Sequence, residues 1–185
     1  SKTLSYILRH KPEDFGLQIA ADGTIKIDEL ISAIRNKNKY NDVCFEDIKK
    51  VVKNDNKGRF KFLENRTRIR ANYGHSIEGI NLDYEAVTPP EYLYHGTAKR
   101  VLTKIFNEGL KAMNRNFVHL SKTKKEAYKV GKRHDAKPII LKITAQKMTN
   151  EGWKIYKTGK GIYLTNYVAP EYILDHFKFN DKYNF

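Results

Sequence analysis

The sequence predicts an α+β protein in two lobes, and three observations carry that prediction. In the first half, the apolar residues change from a helical spacing to a period of two after Gly58. In the second half they fall mostly into short strand-like runs. Between the halves lies an acidic stretch, Glu78 to Glu91, which contains Pro89-Pro90 and reads as a linker. The expected lobes are residues 1–85 and 90–185, which suits a chain of 185 residues, enough for two small cores.

In the first lobe, Leu4, Ile7 and Leu8 stand at helical spacing, Gly16 marks a turn, and Thr24-Ile25-Lys26-Ile27 alternates as a short strand. Asp28 is expected to cap a helix whose apolar stripe is Leu30, Ile31 and Ile34. A third helix carries Phe45, Ile48, Val51 and Val52. Phe60 and Phe62 then alternate with Arg59 and Lys61, a turn falls at Glu64-Asn65, and Ile69 and Ala71 alternate with Arg68 and Arg70. Helix, short strand, two helices and a hairpin resemble a winged-helix arrangement. If the apolar members of the hairpin face the core, Arg59, Lys61, Arg68 and Arg70 share the opposite face. The plain reading of such a face is a solvated edge that discourages strand pairing. Arginine at three of the four positions favours phosphate contact instead, because a guanidinium fork matches phosphate oxygens.

The second lobe reads as strands with two helices. Tyr92 to His95 alternates, Val101, Leu102 and Ile105 give a helix closed by Gly109, Phe117 to Leu120 is a short strand, and Lys122 to Arg133 is a basic helix. Strands follow at Ile139 to Ile143, Trp153 to Tyr156, Ile162 to Thr165 and Tyr172 to Phe179. No glycine-rich phosphate loop joins a strand to a helix, so neither a Rossmann nor a P-loop fold is expected. The lobe should be dominated by an antiparallel sheet.

The formal net charge is +14, from 35 Lys and Arg against 21 Asp and Glu, and points to a polyanionic partner, nucleic acid first. The excess is local: residues 49–70 hold nine basic and two acidic groups, while residues 71–90 hold no Lys or Arg. Cys44 is the one cysteine, so a disulfide framework and a cysteine-rich zinc site are excluded, as expected of a reducing compartment. The six histidines form no HExxH motif, and no GxSxG elbow is present. A metal site is therefore not expected. Nor is there a membrane-spanning apolar run or a signal-peptide pattern, so a cytoplasmic protein is the default. The acid pairs Glu13-Asp14 and Glu46-Asp47 read as capping or surface charges.

Five short polar motifs remain: Leu8-Arg9-His10-Lys11-Pro12, Lys57-Gly58-Arg59-Phe60, Ile69 to Ser76, Tyr94-His95-Gly96-Thr97, and Arg115 to Ser121. Each alone is a weak signal. In this order and at these intervals the chain strongly resembles the tRNA (RNA) 2′-phosphotransferases, NAD-dependent enzymes that remove an internal RNA 2′-phosphate. Asp22-Gly23, Gly109-Leu110, Gly131 to His134 and Gly161 to Thr165 extend the resemblance over nearly the whole chain. It departs at Tyr73, where the family usually has Gln, and at Asp135, where Gly commonly follows the Arg-His pair.

The resemblance implies a winged-helix-like RNA-binding lobe followed by an ADP-ribosyltransferase-like antiparallel β lobe that holds NAD. The family's catalytic Arg-His-Arg-Arg set maps onto Arg9, His10, Arg59 and Arg115, with Arg133 the competitor for the fourth place, so the site is expected to draw on both lobes. His95, Gly96, Thr97, His119, Ser121, Gly131 and Arg133 are the implied NAD-binding residues, glycine at 96 allowing close approach of backbone to ligand. Lys11, Arg68, Arg70, His75 and Ser76 are expected to meet the RNA. For His119, a core histidine between Val118 and Leu120 is the competing reading.

The implied chemistry is metal-free and has two steps. The RNA 2′-phosphate attacks the nicotinamide-bearing carbon of NAD; the 2″-hydroxyl of the resulting 2′-phospho-ADP-ribosylated RNA then attacks the phosphate. The products are 2′-hydroxyl RNA, nicotinamide and ADP-ribose 1″,2″-cyclic phosphate. Three guanidiniums suit a phosphoryl transition state without a metal ion, and His10 is the member of the set able to exchange a proton near neutral pH. The competing reading of His10 is a phosphate donor that transfers no proton. The partner would be RNA carrying a 2′-phosphate, tRNA in the family's usual role, and the protein a monomer. Two other functions fit the same charge: an RNA-binding module without turnover, and an ADP-ribosyltransferase acting on nucleic-acid ends.

Overall fold

The computed structural model describes residues 1–37, 41–80, 82–159 and 161–174 in full, and the backbone of 175–178. It divides between Asp83 and Tyr84 into two units, each with its own core.

The first unit opens with α1 (Lys2–Arg9), which buries Leu4, Ile7 and Leu8 as its spacing requires. A short strand, β1 (Thr24–Lys26), leads directly into α2 (Ile27–Arg35). Asp28 is not the cap: the helix starts one residue earlier, with extended Lys26 at its head. Asp28 instead sits in the first turn, where a carboxylate complements the helix dipole. In α3 (Phe45–Lys53), Cys44 and Asp47 form a reciprocal capping box, so Asp47 caps the helix while Glu46 pairs with Lys49 on the surface.

The hairpin follows as β2 (Phe60–Leu63) and β3 (Arg68–Ala71), turning through Glu64–Arg66. Its register sets Phe60 opposite Ala71 and Phe62 opposite Ile69, with Lys61 opposite Arg70. β1 completes an antiparallel sheet in the order β1-β3-β2, which puts Thr24 opposite Arg70 and Lys26 opposite Arg68. Ile25, Phe60, Ile69 and Ala71 enter the core beneath the three helices, so Lys61, Arg68 and Arg70 share the outer face, whereas Arg59, just before β2, is bonded to the buried Asp55 instead.

The second unit contains β4 (Leu93–Thr97), α4 (Leu102–Glu108), β5 (Leu110–Lys111), β6 (Val118–Ser121), α5 (Lys124–Gly131), β7 (Ile139–Ile143), α6 (Ala145–Asn150), β8 (Tyr156–Thr158), β9 (Ile162–Thr165), β10 (Tyr167–Val168) and β11 (Ile173–Lys178). It is mixed helix and antiparallel sheet, in keeping with the α+β expectation. Six strands form one sheet in the order β11-β7-β4-β6-β9-β8, and β5 pairs with β10 apart from it.

Three expectations change here. The unit has a third helix, α6, beyond the two expected. The strand expected at Trp153 to Tyr156 begins only at Tyr156, because Trp153 is drawn into packing: its ring meets Tyr167 and Tyr172, and its Nε1 donates to the Tyr172 hydroxyl at 3.0 Å. The acidic stretch is not a free linker, since Tyr84 packs against Phe117 and Tyr156, and the Val87 N–H donates to the Ile155 carbonyl. The expected strand end at Phe179, and the last residues of the expected lobe 90–185, lie outside the described residues.

Candidate functional site

In the first unit, three of the predicted residues come together. Arg9 is the last residue of α1, and His10 caps its end. Arg59 immediately precedes β2. Both guanidiniums approach the ring of Phe60, Arg9 Cζ at 5.9 Å and Arg59 Cζ at 5.3 Å from its centroid. The segment after β3 holds the other side: the Ser76 N–H donates to the Arg9 carbonyl at 2.8 Å, and the Ser76 hydroxyl and His10 Nδ1 are hydrogen-bonded at 2.8 Å. Ser76, expected to meet RNA, thus also orients the His10 ring.

Asp55 fixes Arg59. Its carboxylate accepts from Arg59 Nε at 2.8 Å, from the Arg59 backbone N–H and from the Phe60 N–H at 3.2 Å. The Asp55 side chain is 1% exposed and that of Arg59 25%, so the carboxylate is buried while the guanidinium reaches outward. Burial pushes the Asp55 carboxyl up, but the hydrogen bonds and charge of Arg59 outweigh it and hold the group below its ordinary value. Sequence reasoning gave Asp55 no role, although an acid four residues before Arg59 across an Asn-Lys-Gly turn was a usable signal.

The other first-unit residues serve different ends. Lys11 pairs with Glu13 at 3.2 Å on the surface. On the outer sheet face, Arg68 donates to the Thr24 hydroxyl through Nε (2.9 Å) and Nη2 (2.7 Å), and Arg70 Nη1 reaches the Asp22 carbonyl at 3.4 Å. His75 is only 3% exposed and presents no ring surface to a strand of RNA. Burial first, then the charges of Arg9, His10 and Arg70, push its imidazole down to about 4, so it is neutral beneath the cationic cluster.

In the second unit the central sheet has a seam. β4 meets β7 at every position from Leu93 to Thr97, and β6 meets β9 at four positions, but β4 meets β6 only where Tyr94 faces Ser121. Beyond that pair, the His95 Nδ1–H donates to the His119 carbonyl, and the His119 Nδ1–H donates to the Phe117 carbonyl, each at 3.0 Å. Burial is the main cause that lowers the His95 imidazole, with His134 and Arg115 adding to it. His119 lies on the face of β6 opposite the buried Val118 and Leu120, away from the core. His95, Gly96, Thr97 and His119 therefore border one seam, with Ser121 at its closed end.

Gly96 is also a packing glycine. A Cβ placed there would lie 1.9 Å from the Ala127 carbonyl oxygen of α5, and one on Gly131 would lie 2.6 Å from Pro138 Cβ. Gly96 is required by the close packing of α5 on β4, and Gly131 chiefly by the Pro138 side chain ahead of β7. Arg115 stands exposed in the turn between β5 and β6, its N–H donating to the Ala112 carbonyl. Arg133 is exposed just past α5. Asp135 accepts from the N–H groups of Lys99 and Lys137 and ties two turns together. Among the described residues, no group of three or more His, Cys, Asp or Glu is placed to hold a metal ion, and no helix is long and apolar enough to cross a membrane.

Comparison with known proteins adds identity to this geometry. Residues 1–167 match the family model described as RNA 2′-phosphotransferase, Tpt1/KptA family. Curated relatives carry the name "Probable RNA 2′-phosphotransferase". The one from Thermococcus kodakarensis is 43% identical over 94% of this chain and 93% of its own length. That from Acaryochloris marina is 43% identical over 95% and 94%, and that from Pectobacterium atrosepticum 41% over 94% of each. A match this long, carried by relatives above 40% identity at nearly equal length, means that the chain belongs to the RNA 2′-phosphotransferase family.

Proposed function

We propose that this RNA 2′-phosphotransferase uses NAD as co-substrate and works in two steps through a 2′-phospho-ADP-ribosylated RNA. The products are 2′-hydroxyl RNA, nicotinamide and ADP-ribose 1″,2″-cyclic phosphate. The observation that carries the reading is the convergence of Arg9 and Arg59 on Phe60 with His10 beside them. Two fixed guanidiniums and an imidazole make a site for a doubly charged phosphate, and Asp55 neutralises only the inner side of one of them.

In this reading Arg9 and Arg59 grip the RNA 2′-phosphate and stabilise the charge that builds on it during phosphoryl transfer, joined by Arg115. Arg115 is preferred to Arg133 because it leads into the strand Val118–Ser121. His10, oriented by Ser76, handles the proton of the attacking hydroxyl or of the departing RNA oxygen. Arg68, Arg70 and Lys11 would hold RNA by its backbone.

The seam between β4 and β6 is our candidate place for the dinucleotide. Its imidazoles are oriented by Nδ1–H bonds to carbonyls, and the buried hydroxyls of Thr97 and Ser121 lie on the strands that border it. His95, Thr97, His119 and Ser121 would hold NAD there, with Arg133 toward its phosphates and Gly96 and Gly131 keeping α5 close. Bound NAD supplies the ribose carbon that accepts the phosphate and the nicotinamide that leaves. The first unit is read as a winged-helix-like RNA-binding lobe and the second as an ADP-ribosyltransferase-like lobe. The protein would act as a cytoplasmic monomer, on tRNA where the host makes 2′-phosphate splice junctions.

The test is incubation of the full chain with NAD and an oligoribonucleotide bearing one internal 2′-phosphate. Release of nicotinamide together with 2′-hydroxyl RNA and the cyclic phosphate is expected. Binding without nicotinamide release would leave an RNA-binding module, and a stable ADP-ribosylated RNA would leave an end-modifying ADP-ribosyltransferase.

A further inference from the structure

Tyr73 lies in the first-unit cluster, and its surroundings give it a use. The side chain is 5% exposed, and its hydroxyl donates to the Lys57 carbonyl at 3.0 Å. Lys57 belongs to the turn that delivers Arg59. Asn72 clasps that same turn, its Nδ2 donating to the Gly58 carbonyl at 2.9 Å and its N–H to the Arg59 carbonyl at 2.8 Å.

On its other side, the Tyr73 ring carries Arg9, whose Cζ lies 4.7 Å from the centroid. Gly74 backs the same guanidinium; a Cβ there would already be in contact with Arg9 Cζ at 3.5 Å. A guanidinium over an aromatic face is held by the ring quadrupole, and a buried ring that is itself anchored cannot swing away with it. α1 and the turn before β2 are far apart in sequence, and one side chain touches both.

We propose that Tyr73 is a positioning residue: its ring sets the Arg9 guanidinium and its hydroxyl sets the turn of Arg59, so that the two arginines are held at a fixed spacing. The proposal rests on the reading that these two arginines grip the reacting phosphate. The ring acts on Arg9 alone, whereas the hydroxyl acts on the turn and also meets the Arg9 side chain.

The experiment compares the full-length wild type with Tyr73→Phe and Tyr73→Leu by two readouts. The first is the NMR resonance of the Arg9 Nε–Hε group, assigned by its loss in Arg9→Lys. The second is kcat and KM with NAD and a 2′-phosphorylated oligoribonucleotide. The Arg9 Hε signal should be ring-shifted in the wild type and in Tyr73→Phe, and lose that shift in Tyr73→Leu. In Tyr73→Leu, kcat should fall about tenfold, the order of a lost cation–π contact, with the KM for NAD unchanged. Tyr73→Phe should stay within about threefold of wild type, since it keeps the stronger of the two contacts. An unchanged signal and rate in Tyr73→Leu would overturn the proposal, as would Tyr73→Phe behaving like Tyr73→Leu. Should Tyr73→Leu fail to fold, Tyr73→Met removes the ring with less loss of volume. Failure of the underlying reading looks different: wild type then makes no product, and the Arg9 signal alone decides the role of the ring.

Discussion

Acid should destabilise the first unit through one buried histidine. His75 is 3% exposed, and burial, followed by the charges of Arg9, His10 and Arg70, takes its imidazole from 6.5 down to about 4. Between those two values the unfolded chain binds a proton that the folded chain refuses, so stability is complete above about pH 7 and falls as pH drops. The single group removes about 2 kcal/mol by pH 5 and about 3 kcal/mol by pH 4. The lowered carboxylates Asp22 and Asp55 act only further down, as pH falls below their ordinary value near 3.8.

The assay is chemical denaturation of wild type and His75→Gln at several pH values from about 7.5 to 5. The single Trp, Trp153, lies in the second unit, so its fluorescence reports the wrong half. Amide exchange at Ile25 and Ile69 in the first sheet follows the right one. The quantity that matters is the slope with pH, because the substitution changes absolute stability for other reasons. His95 in the second unit is also lowered, but it is present in both proteins and cancels in the comparison. Wild type should lose about 2 kcal/mol more than His75→Gln between pH 7.5 and 5. Parallel slopes would refute the reasoning and mean that the His75 ring takes up its proton without unfolding.

Gly96→Ala should cost the second unit at least about 3 kcal/mol, because its Cβ would sit 1.9 Å from the Ala127 carbonyl oxygen and α5 would have to lift off β4. Here Trp153 fluorescence is the right probe, and an unchanged unfolding midpoint would contradict the packing account. Arg59→Ala and Arg115→Ala should each slow phosphoryl transfer by about 10²-fold or more, letting the ADP-ribosylated RNA accumulate. Normal product formation by both, with no intermediate on a denaturing gel, would remove these residues from the site. The logarithm of RNA affinity should fall linearly with the logarithm of salt concentration, as expected when cationic side chains displace counterions from phosphates. A flat response would make the +14 net charge incidental to binding.

Where local spacing decides the structure, the sequence was readable. The hairpin of Phe60, Phe62, Ile69 and Ala71 forms with the alternation expected of it, and the strands Ile139–Ile143 and Ile162–Thr165 have the bounds that their apolar runs suggest. α6 was missed because six residues are too few to display a helical period. β5 and β10 were missed because two residues each carry no alternation. Trp153 misled because an aromatic residue favours strands, whereas here its bulk and its N–H are both used by Tyr172.

At the site, motif residues were legible and their supports were not. Arg9, His10 and Arg59 stand in short polar runs that mark themselves. That His75 is buried, that Ser76 orients His10, and that Asp55 and Tyr73 steady the arginines all depend on segments meeting from distant parts of the chain. Gly96 shows the limit most clearly. A glycine after a histidine on a strand invites a ligand argument, but what presses on it is a helix thirty residues later.

The single Tyr94–Ser121 pair makes the sheet of the second unit weakest at its middle rather than at its rims. Open sheets ordinarily expose unmet backbone groups along their outer strands, where other chains can add. Here β4 and β6 each keep one well-paired flank, toward β7 and β9, and turn the poorly paired flank inward to one another. Beyond the Tyr94–Ser121 pair, the ladder between them gives way to side-chain contacts such as that of His95 with the His119 carbonyl. Any substitution that zipped the two strands together would therefore add stability by closing the one place where the sheet is already open.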